Sequence, residues 1–322
     1  MKRAILAAAV VALGLIGAQA QTYPSRPITI IVPFAAGGPT DVIGRALAEK
    51  MRATLGQPVL IENVTGAGGS IGVARAVQAA PDGYTISMGN TGTHVASGAI
   101  YPLKFDLLAD LEPLALIATN PMLVVTKNAL PAKNLGELIA SLKANPGQVP
   151  TGTAGVGSAS HLAAVYFQSV TGTRLNFVPY RGTGPAMQDL VAGQIDMIVD
   201  QTSNSINQVR AGSIKAYVVS DEKRLAGAPD VPTAAEAGLP AFQVAVWNGF
   251  WLPKGTPKDV TAKLSAAVIE ALADTTVRKR LADLGLDIPP PAQQTPEALG
   301  KYHKAEIEKW WPIIKAANIK PE

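Results

Sequence analysis

Six times along the chain, a short β-branched or aliphatic run ends in a loop of small residues and is followed by a helical pattern. ITIIVPF leads through AAGGPT to DVIGRALAEKMRATLG, PVLIENV through TGAGGS to IGVARAVQAA, and YTISMGN through TGT to HVASGAIY. Further on, VPTGTA leads through GVGSAS to HLAAVYFQSVTG, LNFVPYR through GTG to PAMQDLVAG, and QIDMIVD through QTSN to SINQVRAG. Such alternation predicts an α/β protein with mostly parallel sheets and helices on both faces. It also predicts where a ligand goes. In open sheets of this kind ligands bind beyond the carboxyl ends of the strands, where the six loops lie.

Glycine between strand and helix weakens a chain unless bare backbone must approach something. The first turn of a helix carries N–H groups without intrahelical partners, together with the positive end of the helix dipole. Gly37-Gly38, Gly68-Gly69 and Gly157-Ser158 leave such amides open to a ligand oxygen, and Thr40, Ser70, Ser158 and Ser160 add hydroxyls that act as caps or donors. No Lys or Arg stands in these loops, so an anion bound there would be held by amides and hydroxyls. Taken alone, any one loop is better explained by tight turns and close helix–sheet packing. The series of them points to a shared anion site.

The last third is different. IKAYVVS and FQVAVWNGFWLP read as strands, Thr233 and Glu236 stand at capping-box spacing, and helices are expected over 257–273, 275–284 and 296–317. Val260, Leu264, Val268 and Leu272 recur at helical spacing, so these helices read as packing elements, as does the Trp310-Trp311 pair. Phe34, directly before the first glycine turn, would supply an apolar wall beside polar amides, the usual mix of a small-molecule pocket.

The first 20 residues, MKRAILAAAVVALGLIGAQA, have the form of a secretory leader: Lys2 and Arg3, an apolar run, and Ala18-Gln19-Ala20 as the cleavage site. Export with removal after Ala20 is expected. The apolar run is short for a spanning helix, and no second run of about 20 apolar residues follows it, so no membrane insertion of the mature chain is expected. Losing Lys2 and Arg3 leaves 26 of the 28 basic residues against 24 acidic ones, a mature charge of +2. That slight and dispersed excess gives no reason to expect nucleic acid as a partner. Cysteine is absent, which removes disulfides, thiolate metal sites and cysteine nucleophiles.

Sharper motifs do not hold. GAGGSIG places Ile71 where a dinucleotide fingerprint needs its third glycine, and PKGTP lacks the lead and ending of a phosphate-binding loop. Ser158 lies in GVGSAS, not in a nucleophile elbow, and His94, His161 and His303 stand in three unrelated contexts without metal-ligand spacing. His161 reads as a structural hydrogen-bonding residue or a pocket lining. Asp41 lies in a first helical turn, where a carboxylate is at home structurally. Asp200, ending a strand, either lines a cleft or pins a loop. Arg181, in VPYRGTGP, pairs either with a ligand carboxylate or with Asp189.

The stretches IVPFAAGGPTDVIGR, GQPVLIENVTGAGGSIG, APDGYTISMGNTGTH, AGVGSASHLA, VPYRGTGPAMQDLVAGQID, PDVPTAAEAGLP and LPKGTP, in that order, resemble the extracytoplasmic solute-binding proteins of the tripartite tricarboxylate transporter class, also called the Bug family. The resemblance covers essentially the whole mature chain. It implies a periplasmic binding protein of type II-like fold, with two α/β lobes closing on a ligand. Lobe 1 would comprise 22–121 and 245–322, lobe 2 would comprise 122–244, and the hinges would lie near Asn120-Pro121 and Ala245-Trp247.

It further implies that two loops grip a carboxylate or carboxamide through backbone and water. The first holds Phe34, Ala36, Gly37, Gly38, Pro39, Thr40 and Asp41; the second holds Gly157, Ser158, Ser160 and His161. Further contacts carry over to Asn90, Thr91, Thr93 and His94, to Tyr180 and Arg181, and to Asp200, Gln201 and Thr202. Val64-Thr65 depart from the family's usual Arg-Pro, so that loop is given no ligand role. DQTSN and VWNGF resemble only some members and would set the far end of the ligand. The implied function is capture of a small carboxylate, a dicarboxylate above all, for the integral-membrane subunits of a secondary transporter, by a monomer without cofactor, metal or catalysis. A sensory accessory protein for the same ligands and an exported serine hydrolase are the alternatives.

Overall fold

The computed structural model describes residues 22–321. The leader and its expected cleavage site lie outside them. Strand β1 (Ile28–Val32) passes through the AAGG loop into helix α1 (Pro39–Leu55). Ile43, Leu47, Met51 and Leu55, four residues apart, form the buried stripe of α1. Gly56 ends the helix in the left-handed region at φ 65°, its N–H bonding back to Arg52 O. The pattern then repeats in β2 (Val59–Asn63), α2 (Ser70–Val77) and β3 (Thr85–Asn90), which runs into a π-turn (Gly92–Ala96) and the short α3 (Ser97–Ile100).

A strand of 17 residues, β4 (Leu111–Lys127), follows, then α4 (Leu135–Ala144). The second alternating set is β5 (Pro150–Thr153), α5 (Ala159–Thr171), β6 (Asn176–Pro179), α6 (Thr183–Val191), β7 (Met197–Gln201), α7 (Thr202–Arg210) and β8 (Ile214–Val219). The chain returns along β9 (Ala245–Pro253) and ends in α8 (Lys258–Ala273), α9 (Thr275–Asp283) and α10 (Pro296–Ala316). Thr233 and Glu236 do form a reciprocal capping box, but it closes a turn and not a helix. Among the described residues no helix is long and apolar enough to cross a membrane.

The strands join in the order β2-β1-β3-β9-β4-β7-β5-β6, with β8 also on β4. Both flanks are parallel, as the alternation requires, whereas every pairing made by β4 or β9 is antiparallel. The sheet is therefore mixed, with the two long strands at its centre. Residues 111–121 of β4 pair with β9, while 122–127 pair with β7 and β8. The change of partner falls next to Pro121, which has no N–H to give a ladder, and the register slips beside Pro113 for the same reason.

Apolar packing follows this division on one face only. Ile43, Leu47 and Met51 of α1, Leu264 and Val268 of α8, Leu123 and Val125 of β4, and Ile206 of α7 belong to one unbroken core. On the other face Phe167, Phe242, Met122 and Val124 form one core, and Trp247, Trp251, Leu299 and Ile307 another. Each such fully buried side chain contributes roughly 1.5–3 kcal/mol. Two α/β lobes result, joined through β4 and β9.

Candidate functional site

Four helix starts meet where the lobes face each other. Pro39 and Thr40 of α1, Ser158 and Ser160 at α5, Thr183 of α6 and Gln201 before α7 line one small chamber, with Phe34, Asn90, Ala154 and Ala159 completing it. The chamber leaves about 10 Å³ for the centre of a water molecule, which is room for a single water. Hydrogen bonds between the two sides close it. Ala35 N donates to Arg181 O at 2.9 Å, and Tyr101 Oη donates to Val156 O at 2.9 Å. A side chain at Gly184 would stand 2.9 Å from Gly38 N, and one at Gly92 would stand 2.7 Å from Ala159 N. These two positions require glycine because backbone meets backbone there.

The chamber holds hydroxyls, amides and helix ends, and no cation. Helices α1, α6 and α7 start at Gly38, Gly182 and Gln201 without a side-chain cap, so their first amides are unclaimed by side chains. Helix α5 is capped by Ser158, whose Oγ accepts from His161 N at 3.3 Å. Ser160 Oγ accepts from Ala154 N at 2.9 Å and lies 3.2 Å from Ser158 Oγ. Thr183 Oγ1 is buried and, with Ser205 and Asn204, favours the charged form of Asp200. Asn90 Oδ1 accepts from the amides of Gly92 and Thr93 and so shapes the turn after β3.

Beside the chamber, and sharing Phe34 and Ala154 with it, lies an open groove of about 660 Å³. Tyr180 and Arg181 form part of one bank, and residues 65–69 form the other. Arg181 is exposed, and among the described residues it has no ion-pair partner; Asp189 instead accepts from Tyr180 Oη at 2.7 Å. The pairing of Arg181 with Asp189, one of the two options open from sequence, is therefore not the one seen. The sequence points two ways for the bank at 65–69: Gly68-Gly69 offer open amides, while Val64-Thr65 depart from the family pattern and argue against a ligand role. Its glycines nevertheless put it on the groove.

The remaining sequence candidates stand around the chamber rather than in its wall. Asp41 is buried and accepts from Arg45 Nε and Nη2, from Gly37 N and from Asn63 Nδ2, which fixes the glycine turn. Burial pushes its carboxyl up, but these hydrogen bonds outweigh burial and hold it below the ordinary value. Ala36 and Gly37 are exposed on the outside of that turn, and Gly38 faces Gly184 across the cleft. Thr91 Oγ1 accepts from Trp247 N, Thr93 Oγ1 accepts from Asn90 N, and Thr202 Oγ1 donates to Asn120 Oδ1. Gly157 donates to His161 Nδ1 at 3.4 Å.

His94 is fully buried, stacked at 3.8 Å on Trp251, with Nδ1 3.0 Å from Thr93 Oγ1. Burial, with a smaller contribution from His303, keeps it neutral. His161 packs edge-on to Phe177, and burial pushes it down to about 4. Asp200, fully buried, is pushed up to about 6 by burial, although Ser205 and Asn204 donate to its Oδ2. Its position supports the loop-pinning role more than contact with a ligand. The one serine–histidine ring contact among the described residues is Ser87 Oγ to His94 Nε2, at 3.4 Å inside the core. That placement gives a hydrolase no accessible nucleophile.

Thr183, Ala154 and Ala159 are wall residues that sequence reasoning missed. The signal for Thr183 was present, since GTG before PAMQDLVAG has the same form as the other loops. Both alanines have featureless side chains and were visible only as neighbours of the glycines and serines.

A closed chamber between two α/β lobes, walled by helix starts, defines a solute-binding protein. Residues 43–319 match the family TctC, the tripartite tricarboxylate transporter family receptor. The chain is 42% identical to MatC (Rpa3494) from Rhodopseudomonas palustris, solved with bound malate, covering 91% of this chain and 100% of that one with a TM-score of 0.87. The periplasmic binding protein BugD is 39% identical over 92% of this chain and 99% of its own, with a TM-score of 0.89. Rpa4515 of R. palustris, solved with adipate, is 30% identical over 93% and 100%, with a TM-score of 0.87. The chain belongs to the tripartite tricarboxylate transporter receptor family, a family of binding proteins and not of enzymes.

Proposed function

We propose that this chain is a periplasmic receptor that holds a small carboxylate, a dicarboxylate above all, and delivers it to the membrane subunits of a tripartite tricarboxylate-type secondary transporter. The observation that carries this reading is the convergence of uncapped helix starts on one chamber that contains no cation. Each such terminus favours an anion by about 0.3–1 kcal/mol when exposed and up to about 2 when partly buried. Exclusion of water by closure strengthens every one of these contacts. Relatives were solved with malate and with adipate, each of which carries a carboxylate at both ends of a short chain, and the leader sequence and BugD support the periplasmic address.

The chamber as it stands is too small for such a molecule, so binding requires the lobes to part and reclose. We take lobe 1 as 22–121 with 245–322 and lobe 2 as 122–244, with hinges where β4 passes Pro121 and β9 begins at Ala245. The closing surfaces would then be the loops at Gly38 and Gly184, and a monomer leaves both lobes free to move. Thermal melting of the mature chain against di- and tricarboxylates, aromatic acids, acidic amino acids and nicotinamide-like compounds tests the reading. A ligand at a hundred times its Kd should add about 2.7 kcal/mol of stability. No shift with any member of the panel would overturn it.

A further inference from the structure

Three asparagines lie buried near the chamber, and two of them are in use. Asn90 Oδ1 takes the amides of Gly92 and Thr93; Asn120 donates to Ser203 Oγ at 2.6 Å and accepts from Thr202. The third, Asn248 of β9, is 0% exposed, and neither Nδ2 nor Oδ1 has a hydrogen-bond partner among the described residues. Its backbone is occupied on both sides, paired with Asn90 of β3 and Ala118 of β4. Directly paired residues project from the same face of a sheet with neighbouring Cβ atoms. The Asn248 side chain therefore stands beside that of Asn90, which lines the chamber, while the next residue of the same face, Phe250, goes into the core.

A buried amide without partners is rare and calls for a reason. Ala118, its partner on β4, and Phe250, two residues on, are apolar core residues and offer its amide no side-chain partner. We propose that Asn248 is a specificity residue of the ligand site, and that it reads a hydroxyl on the ligand's carbon skeleton. The inference rests on the carboxylate reading given above. An amide side chain offers two donors on Nδ2 and an acceptor on Oδ1. A carboxylate only accepts and would leave Oδ1 unpaired, whereas a hydroxyl accepts from Nδ2 and donates to Oδ1. The ligand class is thus a hydroxylated di- or tricarboxylate. The helix starts hold its carboxylate, and Asn248 selects the hydroxyl from the floor of the cleft.

Titration calorimetry with two matched pairs tests this: malate against succinate, and citrate against its deoxy analogue tricarballylate. Wild type is expected to prefer the hydroxylated member of the pair it binds by about tenfold or more, since a site built to bond a hydroxyl rejects the analogue lacking it. Asn248→Leu should lose about tenfold for the hydroxylated acid, keep its affinity for the other, and melt no lower than wild type without ligand. Asn248→Ala, which removes the amide without adding bulk, should show the same loss of preference. Equal binding of both members by wild type, or a preference that survives in both variants, overturns the inference. Binding of unhydroxylated acids alone, such as adipate, overturns it and leaves the carboxylate reading standing. Binding of no acid at all overturns both.

Discussion

The helices that open on the chamber and those that start elsewhere are finished differently. Away from the cleft, α4 starts at Asn134, α9 at Asp274 and α10 at Thr295, and each of these side chains accepts from an amide of its own first turn. At the cleft, α1, α6 and α7 start at Gly38, Gly182 and Gln201, with no side-chain cap. The division has exceptions, since α5 at the cleft is capped by Ser158, whereas α8 starts uncapped at Pro257, as do α2 at Gly69 beside the groove and the short α3 at Ala96. A missing side-chain cap costs helix stability, by only about a few tenths of a kcal/mol where glycine stands at the cap, as at Gly38 and Gly182, and by about 1 kcal/mol for most other residues. Three such omissions around one chamber make sense if ligand oxygens take the caps' place. The cleft end gives up folding stability that is recovered on binding.

The harshest way to break this contrast is to hold the two sides apart. At Gly184 a Cβ would meet Gly38 N at 2.9 Å and Ala36 O at 3.0 Å, across the cleft and outside either lobe's core. Gly184→Val should therefore weaken ligand binding by about a hundredfold or more, as misplacements near 1 Å do at preorganised sites, while its circular dichroism matches wild type. Gly193, after α6, serves as the control. A Cβ there meets nothing within 4 Å, although φ is +78°. Gly193→Ala should cost about 1 kcal/mol of stability through backbone strain, with affinity unchanged. Wild-type affinity in Gly184→Val would show that closure at this point is not needed.

Much of that contrast was legible in the chain. Each strand–loop–helix unit read from the alternation is present, because a period-2 run, a glycine turn and a 3.6-period run are all local signals. Seven of the proposed contacts, Phe34, Pro39, Thr40, Asn90, Ser158, Ser160 and Gln201, do line the chamber, since they adjoin those turns. What was missed is not local. Strand β4, with Pro113 and Pro121 in its sequence, reads as broken and is carried by its partners β7, β8 and β9. His94 adjoins the same loop as Asn90, but its ring stacks on Trp251 outside the chamber wall, and loop membership alone does not tell which way a side chain points. Asn248 stands in VWNGF, which the sequence marks as setting the far end of the ligand, but that its amide is buried without a partner depends on packing, which a sequence does not display.

A milder test concerns acid. Burial pushes His161 and His303 down to about 4, and His94 further, so the folded chain binds fewer protons on these rings than the unfolded chain does. Their stabilising effect is full above about pH 6.5 and is lost as pH falls toward 4. Asp200 runs the other way. Its carboxyl is raised from 3.8 to about 6, so the folded chain binds more protons there, and stability from this group rises as pH falls from 6 to 4. A shift of about 2 units is worth about 3 kcal/mol. Asp200→Asn removes that offset, so its loss of stability between pH 6 and 4, read from urea midpoints, should be steeper than wild type's. Parallel profiles would mean that Asp200, just before the uncapped α7, is ionised throughout that range.

The finest test compares the two kinds of helix start through one substitution. Ser158 and Thr295 are both side-chain caps, accepting from His161 N at 3.3 Å and Ala298 N at 3.2 Å. Ser158→Ala and Thr295→Ala should each lower unfolding free energy by about 1 kcal/mol, because the lost bond is of one kind. Affinity separates them. Ser158 also lines the chamber and would donate its hydroxyl proton to a bound carboxylate, a bond worth about 0.5–1.5 kcal/mol. Ser158→Ala should thus bind ligand about threefold to tenfold more weakly, and Thr295→Ala should bind like wild type. Equal losses of affinity in both variants would mean that binding follows global stability. The uncapped starts at the cleft would then be a matter of packing, with no amides held in reserve for an anion.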